Sequence, residues 1–108
     1  MKLTADIWVS AYLARLRQIA VPAFVVSKGD ATAGAVLIKL NTLDGHACCY
    51  QRSFDLLTGA RTWIVLSQGS EHDVDASIAK QQSFDPDLWV IEVEDKAGRH
   101  LLNDAGLE

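Results

Sequence analysis

The sequence predicts a single α+β domain in the order α-β-β-β-β-α-β, with a mainly antiparallel meander sheet and the N-terminal helix across one face. Three observations lead there: an apolar stripe at helical spacing, four strand-like runs separated by Gly-containing turns, and a capped acidic segment followed by one more alternating run. The 108 residues, 49% apolar and 22% charged, suffice for one core without disulfides or metals and are too few for two domains.

Ala5, Trp8, Val9, Tyr12, Leu13, Leu16, Ile19 and Ala20 recur at steps of three and one, which predicts a first helix over residues 5–19. Thr4 is placed to cap it, Asp6 and the pair Arg15 and Arg17 suit its two dipole ends, and Pro22 stops it. Residues 23–28, 35–43, 46–54 and 60–67 are rich in β-branched and aromatic side chains and read as four consecutive antiparallel strands. Asp44-Gly45 is a hairpin signal of the two-residue type I′ kind. Ser70 with Asp73 marks the start of a second helix over 71–83, whose thin apolar face (Val74, Ile78, Ala79) suggests a place at an edge or end of the sheet. Asp85-Pro86 ends that helix. A fifth strand follows over 88–94, with Trp89, Ile91 and Val93 on one face and Glu92 and Glu94 on the other; 99–102 is expected to return as a short strand.

The net charge of −4 disfavours a general nucleic-acid binder, but it is unevenly spread. Residues 1–69 carry seven bases and four acids, or +3; residues 70–108 carry three and ten, or −7. The plain reading is that the two halves pack with complementary surfaces. An acid at Asp6 and a longest apolar run of only 19–26 argue against a signal peptide or membrane span, and adjacent Cys48 and Cys49 make no disulfide framework, so a cytoplasmic protein is expected. The closing Leu107-Glu108 reads as a cloning scar and is set outside the fold.

A two-residue turn at Asp44-Gly45 places Leu43 opposite His46, Lys39 opposite Tyr50 and Leu37 opposite Arg52. In that register one face carries Val36, Ile38, Leu40, Cys49, Gln51 and Ser53, and the other Leu37, Lys39, Asn41, Cys48, Tyr50, Arg52 and Phe54. Lys39, Tyr50, Arg52 and Arg61, with Trp63 beside them, then form a candidate face for an anionic ligand or stacked bases. Half-exposed strands also carry such residues for solubility alone. Cys48 and Cys49 point to opposite faces and cannot share an ion, and His46 with Cys48 offers two ligands at most, so no metal or other cofactor is expected. Glu92 and Glu94 read as a polar edge, and Asp85-Pro86-Asp87 as a turn. Phosphate loops, nucleophile elbows, zinc-protease and dinucleotide fingerprints are absent, so no catalytic residue is assigned.

The strings Val21-Pro22-Ala23-Phe24-Val25-Val26, residues 29–36, Leu40-Asn41-Thr42-Leu43-Asp44-Gly45, Gln51-Arg52-Ser53-Phe54-Asp55 and residues 84–95 together resemble a short bacterial family known as a domain of unknown function. The resemblance spans nearly the whole chain. It implies a stand-alone bacterial cytoplasmic protein and no activity, cofactor or catalytic residue. The expected function is a non-enzymatic binding or interaction module, with a homodimer or a protein partner to cover strand edges and three tryptophans. Anionic-ligand or nucleic-acid binding on the Lys39 face is the alternative. An enzyme of unknown class comes third.

Overall fold

Helix α1 (Ala5–Gln18) buries Ala5, Trp8, Val9, Tyr12 and Leu16, the stripe its spacing predicts. Its start differs from expectation. Thr4 holds the cap position without capping: its hydroxyl donates to Asp6 Oδ1 at 2.6 Å, while the N–H groups of Ala5 and Asp6 donate to the carbonyls of Thr32 and Ala31. A distant loop thus satisfies the orphan donors of the first turn. The computed structural model describes residues 3–104, 106 and 107.

Five strands follow as β1 (Ala23–Ser27), β2 (Val36–Asn41), β3 (His46–Phe54), β4 (Arg61–Ser70) and, after helix α2 (Glu71–Phe84), β5 (Trp89–Glu94). They form one sheet in the order β1-β5-β2-β3-β4. The sheet is mostly antiparallel, but the four-strand meander holds only for β2-β3-β4. β5 enters between β1 and β2, antiparallel to the first and parallel to the second. The physical reason lies in its side chains: Trp89, Val90, Ile91 and Val93 are all buried, so this strand needs cover on both faces, whereas β1 has Phe24, Val25 and Val26 exposed and suits an edge.

Helix α2 starts as expected, with Ser70 Oγ accepting from the Asp73 N–H at 3.1 Å. It lies over the second face of the sheet toward the β4 edge, one of the two places expected, rather than at an end. Val74 and Ile78 pack there with Leu37, Ala47, Cys49, Leu88 and Val90. The first face, under α1, is the larger core and includes Ile38, Leu40, Trp89, Ile91 and Val93.

Residues 99–102 form no strand. Leu101 at φ 57° breaks the extended backbone, and the tail instead crosses the α1 side. Tyr12 Oη donates to the His100 carbonyl at 2.8 Å, Trp63 Nε1 donates to the Leu107 carbonyl at 3.2 Å, and Leu102 and Leu107 are each 1% exposed. Leu107 therefore belongs to the core and does not lie outside the fold, contrary to the expectation from sequence. Among the described residues no helix is long and apolar enough to cross a membrane.

Candidate functional site

The β2–β3 connection determines which side chains can meet. Positive φ falls at Leu43 (62°) and Gly45 (89°), not at Asp44, so no type I′ turn forms. Instead the Asp44 carboxylate accepts the Thr42 hydroxyl and the His46 N–H, Asn41 Oδ1 accepts the Leu43 N–H, and Thr42 N–H reaches the His46 carbonyl across a three-residue loop. Leu37 consequently faces Gln51, Ile38 faces Tyr50, and Lys39 faces Cys49. This is one residue away from the predicted register, which is enough to exchange the two faces of β3.

The four candidate residues are therefore divided. Tyr50 and Arg52 join Ile38 and Leu40 on the α1 face, and the β3–β4 ladder places Trp63 opposite Arg52 and Arg61 opposite Phe54. Lys39 turns to the α2 face, opposite Glu92 of β5. There its ammonium lies 2.7 Å from Asp75, 3.0 Å from Glu71 and 3.2 Å from Glu92. Burial pulls the lysine pKa down, but the hydrogen bonds that the ammonium donates to Asp75, Glu71 and Glu92 outweigh it and hold the group above its ordinary value. Lys39 is a satisfied structural cation, and Glu92 is engaged with it rather than standing as a solvated edge beside Glu94.

On the α1 face the Arg52 guanidinium sits 5.0 Å from the Trp8 ring and 4.9 Å from the Trp63 ring, within cation–π range of both. The two indoles lie 5.4 Å apart, and Trp8 stacks on Tyr12 at 5.0 Å. Arg61 lies over Phe54 at 5.5 Å. Trp8 Nε1 is buried without a hydrogen-bond partner among the described residues. Tyr50 lies farther along the strand, with its ring 4.8 Å from His100 and its phenol pushed up to about 12 by burial and by Cys48.

Arg52, Arg61, Trp8 and Trp63 share the wall of a cleft of about 740 Å³. It opens at the end of the sheet where β3 and β4 outrun β2, so residues of both faces line it: Phe54 and Val36 with Leu37, Gln51 and Leu88. Loop residues 32–35 and Leu3 to Ala5 close one side, and Gln81 and Asp85 at the end of α2 close another. Volume and lining fall in the range of small-ligand sites. The sequence points to Arg52, Arg61 and Trp63 as neighbours. Trp8 is missed because its position in the helical stripe marks it equally well as core.

The cysteines separate as strand alternation requires. Cys49 is fully buried under α2, where burial pushes its thiol up to about 12, while Cys48 is partly exposed on the other face. Cys48 and His46 border a shallow hollow with Thr42, Gln68 and Gly69. Among the described residues no three His, Cys, Asp or Glu side chains are arranged to hold a metal ion. Asp85 Oδ1 accepts the Asp87 N–H at 3.1 Å, the turn expected of Asp85-Pro86-Asp87.

No curated protein matches the chain. Among solved structures it is similar to a crystal structure of a DUF1491 family protein from Caulobacter crescentus (38% identity, TM-score 0.86, covering 94% of this chain and 96% of that one) and to an NMR structure of a DUF1491 family protein from the same organism (39%, 0.82, 95% and 94%). It also resembles protein Atu0922 from A. tumefaciens, a solution structure, at 25% identity and TM-score 0.74 over 87% of this chain and 86% of that one. The family model described as a protein of unknown function (DUF1491) matches residues 3–103, and the chain belongs to that family.

Proposed function

We propose that this protein is a non-enzymatic binding module that takes its ligand in the cleft at the open end of the sheet. The observation that carries the reading is the cleft itself, where two indoles and Phe54 meet two guanidinium groups in about 740 Å³. Apolar walls with cationic groups suit a ligand with an apolar body and an anionic end. Lys39, engaged by three carboxylates on the other face, takes no part. Titration of the protein with short aryl and alkyl carboxylates and phosphates, followed by two-dimensional NMR, tests this. Indole signals of Trp8 and Trp63 should shift together, and Arg61→Ala should weaken binding about tenfold, the loss of one charge-assisted hydrogen bond. Shifts scattered over the surface and indifferent to Arg61→Ala would defeat the proposal.

A second reading, self-association, is favoured by the β1 edge, where Phe24, Val25 and Val26 are 45%, 39% and 52% exposed in succession. Light scattering would then give twice the 11.8 kDa chain mass, and a strict monomer removes it.

A further inference from the structure

We propose that the occupant of the cleft is an extended peptide segment of a partner protein, bearing apolar and acidic side chains, that pairs with β3 at Ser53 and Phe54 in the place β2 leaves empty. This rests on the cleft being a binding site and names what it binds. The ladder between β2 and β3 begins at Leu37↔Gln51, whereas β3 continues against β4 through Ser53↔Thr62 and Phe54↔Arg61. The chain preceding β2 does not follow β3. Gly34 N–H bonds back to the Asp30 carbonyl, and Asp30 N–H bonds to the Asp87 carbonyl at 2.9 Å, which draws loop 29–35 toward the start of β5.

Among the described residues, Ser53 and Phe54 therefore have a strand neighbour on one side only. Successive residues of an antiparallel strand direct their backbone groups to alternate sides, so one of the two turns its N–H and C=O to the vacant side. That side opens into the cleft, between residues 33–37 on one bank and Gln51, Arg52 and Phe54 on the other. An unpaired strand segment inside an apolar slot is a template for strand addition, with main-chain bonds supplying affinity and flanking pockets selecting side chains.

The walls supply that selection. Phe54, Trp63 and Leu88 offer apolar contact, and Arg61, whose guanidinium rests on Phe54 and forms no ion pair among the described residues, offers charge to a carboxylate. Among the described residues Asp85 is the one acid lining the cleft, and its Oδ1 accepts the Asp87 N–H. Insertion of the β3–β4 tip of a second copy is a poorer fit. Leu56 and Leu57 there are 97% and 96% exposed, but the Asp55 carboxylate accepts the N–H groups of Leu57 and Thr58, which folds the tip into a closed turn that cannot lie down as a strand.

Random dodecapeptides displayed on phage and selected on the immobilised full chain provide the test. Selected sequences should alternate apolar and acidic residues. A synthetic peptide of that kind should slow hydrogen exchange at the Ser53 or Phe54 amide in NMR spectra, and Arg61→Glu should weaken its binding at least tenfold while leaving the spectrum of the free protein folded. Failure to select any peptide, or selected peptides that leave both amides unprotected and ignore Arg61→Glu, overturns the inference. If small carboxylates still bind the cleft in that case, the binding reading survives alone; if neither kind of probe binds, both fall.

Discussion

A lysine with a side chain only 5% exposed survives on the α2 face because Asp75, Glu71 and Glu92 surround its ammonium. Glu92 is itself just 14% exposed, so deleting the lysine would strand a nearly buried carboxylate, while Glu71 and Asp75 can turn to water. Lys39→Met should therefore cost about 2–3 kcal/mol in urea denaturation, below the usual range for a fully buried pair because two of the three acids are solvated. Lys39→Met combined with Glu92→Gln should recover part of that loss, and a double variant no better than the single one would refute this account. The contact also locates the charge asymmetry: a cation from the basic half is surrounded by acids from the acidic half. At the neighbouring position, the Cys49 thiol is raised to about 12 and fully buried. A disulfide reagent at pH 8 should consequently titrate at most one thiol of the native protein, that of Cys48, and the second only after denaturation. Cys48→Ser should leave the native protein unreactive.

The long strings that carry the family resemblance act at the scale of elements as a clamp between the 29–34 loop and the start of β5. Asp30 N–H bonds to the Asp87 carbonyl, Trp89 Nε1 donates to the Asp30 carbonyl at 2.8 Å, and Trp89 N–H bonds to Ala35. The same loop caps α1. A methyl group at Gly34 would lie 2.6 Å from the Asp87 carbonyl oxygen and 2.7 Å from that of Asp30, and neither backbone atom can yield cheaply. Gly34→Ala should destabilise the fold by about 1–3 kcal/mol, read as a lowered denaturation midpoint. An unchanged midpoint would mean that the clamp is loose. Elements whose signal is local were legible in the sequence: α1 from its stripe, α2 from Ser70, and β5 from the alternation of Trp89, Ile91 and Val93 with acids. The hairpin register was not, because it depends on whether the Asp44 backbone or its carboxylate closes the loop, and both use the same residues. That single residue of slip separates Lys39 from Arg52 and dissolves half of the expected anion face, leaving Arg52, Arg61 and Trp63 together. The central place of β5 had a readable sign in the unbroken apolar run Leu88-Trp89-Val90-Ile91, which is typical of a strand covered on both faces.

At the scale of the whole molecule, the tail beyond β5 closes the larger core, and His100 is a titratable group within that closure. Its Nδ1 accepts the Leu102 N–H at 3.0 Å, its carbonyl accepts the Tyr12 hydroxyl, and its ring packs against Tyr50. Burial holds its pKa below the ordinary 6.5, against a smaller opposing pull from Asp104. A protonated Nδ1 could no longer accept from Leu102, which works in the same direction. With the folded pKa depressed, the unfolded chain takes up the proton first as pH falls through 6.5, so stability contributed by the neutral imidazole is present above that value and lost progressively below it. Urea midpoints should therefore fall between pH 7.5 and 5.5. His100→Asn keeps an acceptor near the position of Nδ1 but does not titrate, so it should lower stability at neutral pH, where the ring contact with Tyr50 is lost, and flatten the dependence on pH. Because His46 and His72 remain in both proteins, the difference between the two slopes isolates His100. Parallel slopes would show that the tail closes the core without coupling to proton uptake, and a steeper slope in the variant would reverse the assignment.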